Sequence, residues 1–230
     1  MTEVLFQSMF FGVSVSLIAY WIGMLLRKKL ASAIFNPLLI AVVIVIFVIC
    51  GFNIDYSTYK ASTECISFLL TPSTVCLAIP LYQQLNILKE NWKAVLVGIT
   101  AGTLASLLGI LLMAVLFGLT HEQYVTLLPK SVTTAIAVGI SESWGGMISI
   151  TSAVVIITGI VGNIIAEFVF KLAKIDEPVA KGLACGTSAH AIGTSKAMEL
   201  GEVEGAMSSL SIAVAGLLTA VAASFFASMY

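Results

Sequence analysis

Charge is scarce in this chain: 10% of its 230 residues are Asp, Glu, Lys or Arg, where a soluble domain carries roughly a quarter. The 11 Lys+Arg and 12 Asp+Glu fall almost entirely between long apolar runs, 59% of the residues are apolar, and the mean hydropathy is +1.07. That shortage excludes a soluble globular protein, because so much apolar surface has to face lipid. Cysteine is sparse as well. Cys50, Cys65, Cys76 and Cys185 lie in or beside apolar segments without CxxC pairing, so neither a disulfide frame nor a metal site is implied. They read as small buried hydrophobes. A net charge of −1, with no basic cluster longer than Arg27, Lys28 and Lys29, gives nucleic acid no support. A cleavable leader is not indicated either. Glu3 stands where a basic region belongs, and the apolar stretch 4–26 runs into that basic cluster instead of a small-residue cleavage site. It reads as a retained first helix.

A hydrocarbon core takes about 20 helical residues to cross. Eight segments qualify as candidates: 4–26, Pro37–Gly51, 66–82, 95–118, 124–140, 148–170, 179–197 and 206–229. The fold class expected is an all-α polytopic membrane protein of seven to eight segments in a single transmembrane domain, 1–230. Three segments are unlike ordinary spans. Segment 66–82 carries Pro72 and Pro80, and 124–140 carries Pro129-Lys130-Ser131 followed by Thr133-Thr134. Segment 179–197 holds Gly182, Gly186 and Gly193 among Thr187, Ser188, His190, Thr194, Ser195 and Lys196. Backbone broken at membrane depth survives only inside protein or beside a water-filled cavity.

A weak internal repeat accompanies the breaks. Ala78-Ile79-Pro80 and Ala191-Ile192-Gly193 each place a breaker after Ala-Ile, 113 positions apart. The same offset carries Gly98, Gly102 and Ser106 onto Ser211, Ala215 and Thr219, two trios of small residues spaced by four. Shifted by 113, the basic loops around Arg27 and Lys89 land on loops without Lys or Arg, the antisymmetry of inverted-topology repeats with halves near 1–118 and 119–230. Placing every basic loop on one side requires 124–140 to be re-entrant, broken at Pro129, although the repeat would match it to a crossing helix.

The breaks carry the candidate chemistry. Pro129 at the first turn of a half-helix would aim free N–H groups and the dipole at an anion. Lys130 adds a full charge, and Ser131, Thr133 and Thr134 add hydroxyls. Thr71-Pro72-Ser73-Thr74 repeats the logic without a cation, with Thr71 as the cap and Ser73 and Thr74 as hydroxyl donors. In 179–197, Gly186 and Gly193 are the expected breaks, and Thr187, Ser188, His190 and Thr194 the expected solute contacts. Structural alternatives compete with each. Lys130 at a helix end would snorkel, but Leu127-Leu128 and the run from Ala135 set it well inside its segment, which favours function. His190 alone would read as a packing residue, and the individual hydroxyls as interhelical contacts. Glu167 and Lys171 read as an interfacial i,i+4 pair. Pro80 reads as a kink or helix end. No H-E-x-x-H, no paired intramembrane carboxylates and no Ser/His/Asp set appears, so an enzyme is not indicated.

Asn36-Pro37-Leu38-Leu39, Ala78-Ile79-Pro80-Leu81-Tyr82, Leu128-Pro129-Lys130-Ser131-Val132-Thr133-Thr134 and the run from Lys181 to Thr194 occur here in one order, followed by Glu199 and Glu204-Gly205-Ala206-Met207-Ser208-Ser209. Together they resemble the LrgB/CidB family from about the second segment to the last. The resemblance implies a multi-pass protein of the bacterial cytoplasmic membrane with a small holin-like partner of the LrgA or CidA type, and no cofactor. It also implies one of two activities: antiholin-like control of murein hydrolase export and autolysis, or transport of small carboxylates such as pyruvate or glycolate. The residues favour transport, because a buried cation beside broken, hydroxyl-rich segments is what a midplane solute site requires. A homo-oligomer is expected.

Overall fold

The structure, a computed structural model, describes residues 8–30 and 35–230, without the side chains of Met9, Leu70, Thr71 and Thr74. The described residues are mostly helical, with no strand among them. The chain divides into two compact units, Met1–Cys76 and Leu77–Tyr230.

In the first unit, α1 (Met9–Leu30) runs four residues past the expected end of its segment, and 4–7 lie outside the described residues. It packs on α2 (Pro37–Gly51) and α3 (Tyr56–Ser62). Asn36 starts α2: its Oδ1 accepts from the N–H groups of Leu38 at 2.9 Å and Leu39 at 3.3 Å, while Pro37 fills the first position, where no N–H is needed. Asp55 caps α3, and the hydroxyl and N–H of Ser57 hold its carboxyl below the usual carboxylate range. Two short helices follow, α4 (Glu64–Phe68) and α5 (Leu70–Cys76). Because α5 begins at Leu70, Thr71 is not its cap, which corrects that expectation.

The second unit opens with α6 (Ala78–Gln83) and α7 (Leu85–Phe117). The expected segment 66–82 is therefore three short helices interrupted at Leu69 and Leu77. Pro72 and Pro80 each stand three residues after an interruption, in a first turn where a missing N–H costs nothing. At 33 residues α7 is about 50 Å long. Val95, Ile99, Thr103, Leu107 and Ala114 form its buried stripe, and Leu104, Leu108 and Leu112 are exposed and apolar. Gly118 ends it in the left-handed conformation (φ 59°), with the N–H of Leu119 returning to the carbonyl of Ala114.

Segment 124–140 is not one helix. A capping box on Thr120 and Gln123 starts α8 (His121–Leu127), residues 128–133 are irregular, and α9 (Thr134–Ser143) follows with Thr133 extended at its N-cap. In a straight helix Thr126 and Ser141 would stand about 22 Å apart. Here the Thr151 hydroxyl lies 2.7 Å from Ser141 Oγ and 3.1 Å from the Thr126 carbonyl, and Met147 N–H donates to Thr126 Oγ1 at 2.8 Å. The segment folds back on itself. Pro129 does not open the half-helix as expected: without an N–H it ends the descending arm, and the returning arm starts five residues later.

After α10 (Ile148–Leu172), α11 (Pro178–Leu200) also folds back, at Ala189 (φ −129°, ψ 15°) and His190 (φ 43°, ψ −135°). Cys185 and Ala197 share one buried cluster, whereas a straight helix would separate them by about 18 Å. Gly186 and Gly193 are thus not the breaks; the turn lies between them, and both glycines remain helical to admit close neighbours.

The two hairpins enter from opposite ends of α12 (Glu202–Ala227), about 39 Å long. The α11 hairpin packs on its first half, where a Cβ on Gly182 or Gly186 would come within 2.5 Å of the carbonyls of Glu204 and Ser208. The α8–α9 hairpin packs on its second half, through Ile136 against Gly216, Tyr124 Oη bonded to the Phe226 carbonyl at 2.9 Å, and a cluster with Ala223 and Ala227. The chain is an all-α polytopic membrane protein: α1, α7, α10 and α12 are each long and apolar enough to cross a bilayer. With both ends of the α8–α9 hairpin on one side, single cysteines at His121 and Glu142 in a cysteine-free background should both react with an impermeant reagent from that side only. Labelling from opposite sides would refute the fold-back.

Candidate functional site

The tips of the two hairpins meet beside a cavity of about 1030 Å³. Its polar lining is thin: Asn91 and Ser106 of α7, Lys130 and Ser131 of the first tip, Thr158 of α10, and Glu177, Thr187 and Ser188 on or before the first arm of α11. Glycines make the walls. A Cβ on Gly102 would stand 2.9 Å from Thr187 Oγ1, one on Gly98 2.9 Å from Leu183 Cδ1, and one on Gly162 2.6 Å from Ala189 Cβ. Alanine at these sites would push the hairpin away from α7 and α10.

Hydroxyl accounting sets the polarity. Lys130 Nζ donates to Ser131 Oγ at 2.9 Å and Ser106 Oγ donates to the same oxygen at 3.0 Å, so the Ser131 proton is left to point elsewhere. Thr187 and Ser188 spend their protons on the carbonyls of Leu183 (2.7 Å) and Ala184 (2.6 Å), and offer the cavity lone pairs only. Between the two hairpins, donor capacity therefore lies at the first tip, around Lys130 and Ser131. An anion would find its partners there, and the opposite wall would repel it.

Of the residues expected to contact solute, Lys130, Ser131, Thr187 and Ser188 line this cavity, and Thr133 and Thr134 begin α9. His190 and Thr194 are buried (4% and 1% exposed) and hold the second tip together instead. His190 Nε2–H donates to the Val155 carbonyl at 3.0 Å, and Thr194 Oγ1 bonds the His190 carbonyl at 3.1 Å and Ser208 Oγ at 2.7 Å. A positive φ on a residue other than glycine is strained, and these bonds over-determine it. Gly159 makes the seat: a Cβ there would lie 2.8 Å from His190 Cε1. Ser73 is exposed on α5 of the first unit, and the Thr74 side chain lies outside the described residues.

Two features escaped the sequence. Glu167 pairs with Lys196 on the returning arm of α11, correcting its assignment to Lys171, and Lys196 Nζ also reaches Glu199 Oε2 at 3.3 Å. Partners 29 residues apart leave no local spacing signal. Asn163 is the second: its amide donates to the carbonyl of Ile192 at 2.9 Å, just beyond the turn. The expectation that all four cysteines are buried holds for Cys185; Cys50, Cys65 and Cys76 are exposed, and all four are free.

Comparison with known proteins finds relatives over nearly the whole chain. The model of the LrgB-like family matches residues 16–229. The antiholin-like protein LrgB of Bacillus cereus (strain B4264) is 40% identical over 219 residues, covering 94% of this chain and 95% of that protein. The antiholin-like protein LrgB of Bacillus anthracis (strain CDC 684 / NRRL 3495) matches to the same extent. No solved structure matches.

The fold-back sets the sign of one substitution's effect on stability. In a continuous helix Gly193→Ala would stabilise. Here the new Cβ would strike the carbonyl of Cys185 and come within 2.7 Å of Ala189 Cβ. The substitution should destabilise the protein by about 1–3 kcal/mol, read as a lower melting temperature in detergent. A raised melting temperature would mean that α11 is continuous.

Proposed function

The chain belongs to the LrgB-like family, and on that premise we propose that it is a carrier for small monocarboxylates such as pyruvate or glycolate. The observation that carries the reading is the meeting of two hairpins, entering from opposite ends of α12, at a cavity whose donors gather on Lys130. A pore needs none of this. A carrier needs a solute site reached from either face in turn, and broken segments of opposite entry supply it. The carboxylate takes Lys130 Nζ and the Ser131 hydroxyl, which replace part of its lost hydration and neutralise its charge. The chain is read as a carrier and not as an enzyme.

The setting proposed is the bacterial cytoplasmic membrane, with a small holin-like protein of the LrgA or CidA type as partner and a homo-oligomer as the working form. A second reading is favoured by the names of the relatives: an antiholin-like regulator of murein hydrolase export and autolysis, without transport of its own. The two part on a single measurement. Proteoliposomes holding the chain alone, then with its partner, should accumulate labelled pyruvate. Lys130→Met should bring uptake down to the level of empty liposomes at equal insertion. Absence of uptake in both preparations would leave the regulatory reading standing, and full uptake by the Met variant would return Lys130 to a structural role.

A further inference from the structure

We propose that Thr103 sets the preference of the carrier for acids bearing an oxygen on C2, by seating that oxygen between the two hairpins; the inference rests on the carrier reading above. Thr103 lies on the buried stripe of α7 at 5% exposure, and its hydroxyl is the buried side-chain polar atom left without a partner among the described residues. Buried hydroxyls are nearly always paired, since leaving one unpaired costs the desolvation of the group. This one faces a void of about 10 Å³, lined also by Ser106, Ser131, Thr187 and Thr219. That is room for one oxygen-sized group and nothing larger.

The void adjoins the solute cavity. Ser106, Ser131 and Thr187 line both, and Ser131 is the residue that Lys130 Nζ touches at 2.9 Å. A carboxylate held on Lys130 and Ser131 therefore has the void beside it. In a 2-oxo or 2-hydroxy acid the C2 oxygen lies next to one carboxylate oxygen, so it enters the void as the carboxylate settles on the ammonium. The donor count fits both. Thr187 Oγ1 has given its proton to Leu183 and can only accept, whereas Thr103 still has a proton to give. A 2-oxo group accepts from Thr103, and a 2-hydroxyl accepts from Thr103 and donates to Thr187. An acid without the C2 oxygen leaves the Thr103 hydroxyl unpaired, and sites built for a hydrogen bond reject such analogues strongly.

The test compares initial uptake of labelled glycolate and labelled acetate, well below saturation, into proteoliposomes of the full chain. The parent should favour glycolate. Thr103→Val, which keeps the shape and removes the hydroxyl, should lower the glycolate-to-acetate ratio about tenfold, and Thr103→Ser should keep the parental ratio. The ratio is independent of how much protein inserts. A Val variant with the parental ratio overturns the inference and leaves the void to a water molecule. If the Val variant does not insert, competition on the parent decides: unlabelled glycolate and pyruvate should displace labelled glycolate about tenfold better than acetate and propionate, and equal displacement overturns it. A parent that takes up glycolate and acetate equally refutes the Thr103 seat while the carrier reading stands. A parent that takes up no acid at all refutes the carrier reading, and the seat with it.

Discussion

Every backbone group freed by a break at membrane depth has to be paired again inside the protein, and this requirement organises the second unit. An unpaired amide in hydrocarbon costs several kcal/mol, so a hairpin tip is tenable only where neighbours supply donors and acceptors. At the first tip the base is closed by Thr126, Ser141, Met147 and Thr151 through four mutual contacts. At the second, Asn163 caps the carbonyl of Ile192, Thr194 takes that of His190, and His190 gives its ring proton to Val155. The polar residues of these segments are first of all the means by which the chain turns round in a membrane. The polar atoms left over, those of Lys130 and Ser131 among them, line the cavity.

Close approach is the second requirement, and the small residues supply it. Gly98 and Gly102 admit Leu183 and Thr187, while Ser106 bonds Ser131, so one face of α7 touches both hairpins. Gly182 and Gly186 admit the backbone of α12 from the other side. The first arm of α11 is clamped between two long helices, and the returning arm is held to α10 by the Lys196–Glu167 pair. Burying Lys196 is tolerable only because carboxylates accompany it.

The apolar runs announced a polytopic helical protein, and Pro37–Gly51 was legible to the residue, because its apolar run starts and ends where the helix does. The two small-residue trios, 113 positions apart, were legible as contact faces; in the structure Ser106 and Thr219 line one void. The offset also relates Leu77 to His190. Leu77 keeps helical angles (φ −63°, ψ −17°) whereas His190 departs from them, so matched positions need not bend alike. What stayed hidden was long-range. Glycine was read as the place where backbone opens, yet Gly186 and Gly193 serve packing and the turn falls on Ala189 and His190. A residue with a side chain can hold an unfavourable φ when several distant groups pin it, and no local pattern reports those groups. Thr103 was invisible for the same reason, being one threonine among many until its neighbours left it unpaired.

Helix α7 also gauges depth. Trp92 and Lys93 sit together near its start, with Lys93 Nζ 5.6 Å from the indole ring, the kind of pair found at a membrane–water boundary. Thr103 lies 11 residues further along, about 16 Å by helical rise, in a hydrocarbon layer about 30 Å thick. By this measure the hairpin tips lie near half depth, and a share of the membrane potential falls between them and either face. A full elementary charge crossing the membrane gains or loses about 2.3 kcal/mol per 100 mV. On the carrier reading, an anion that moved only as far as Lys130 would cross part of that field, so occupancy of the site would itself respond to voltage, with opposite sign according to the face from which the ion arrived.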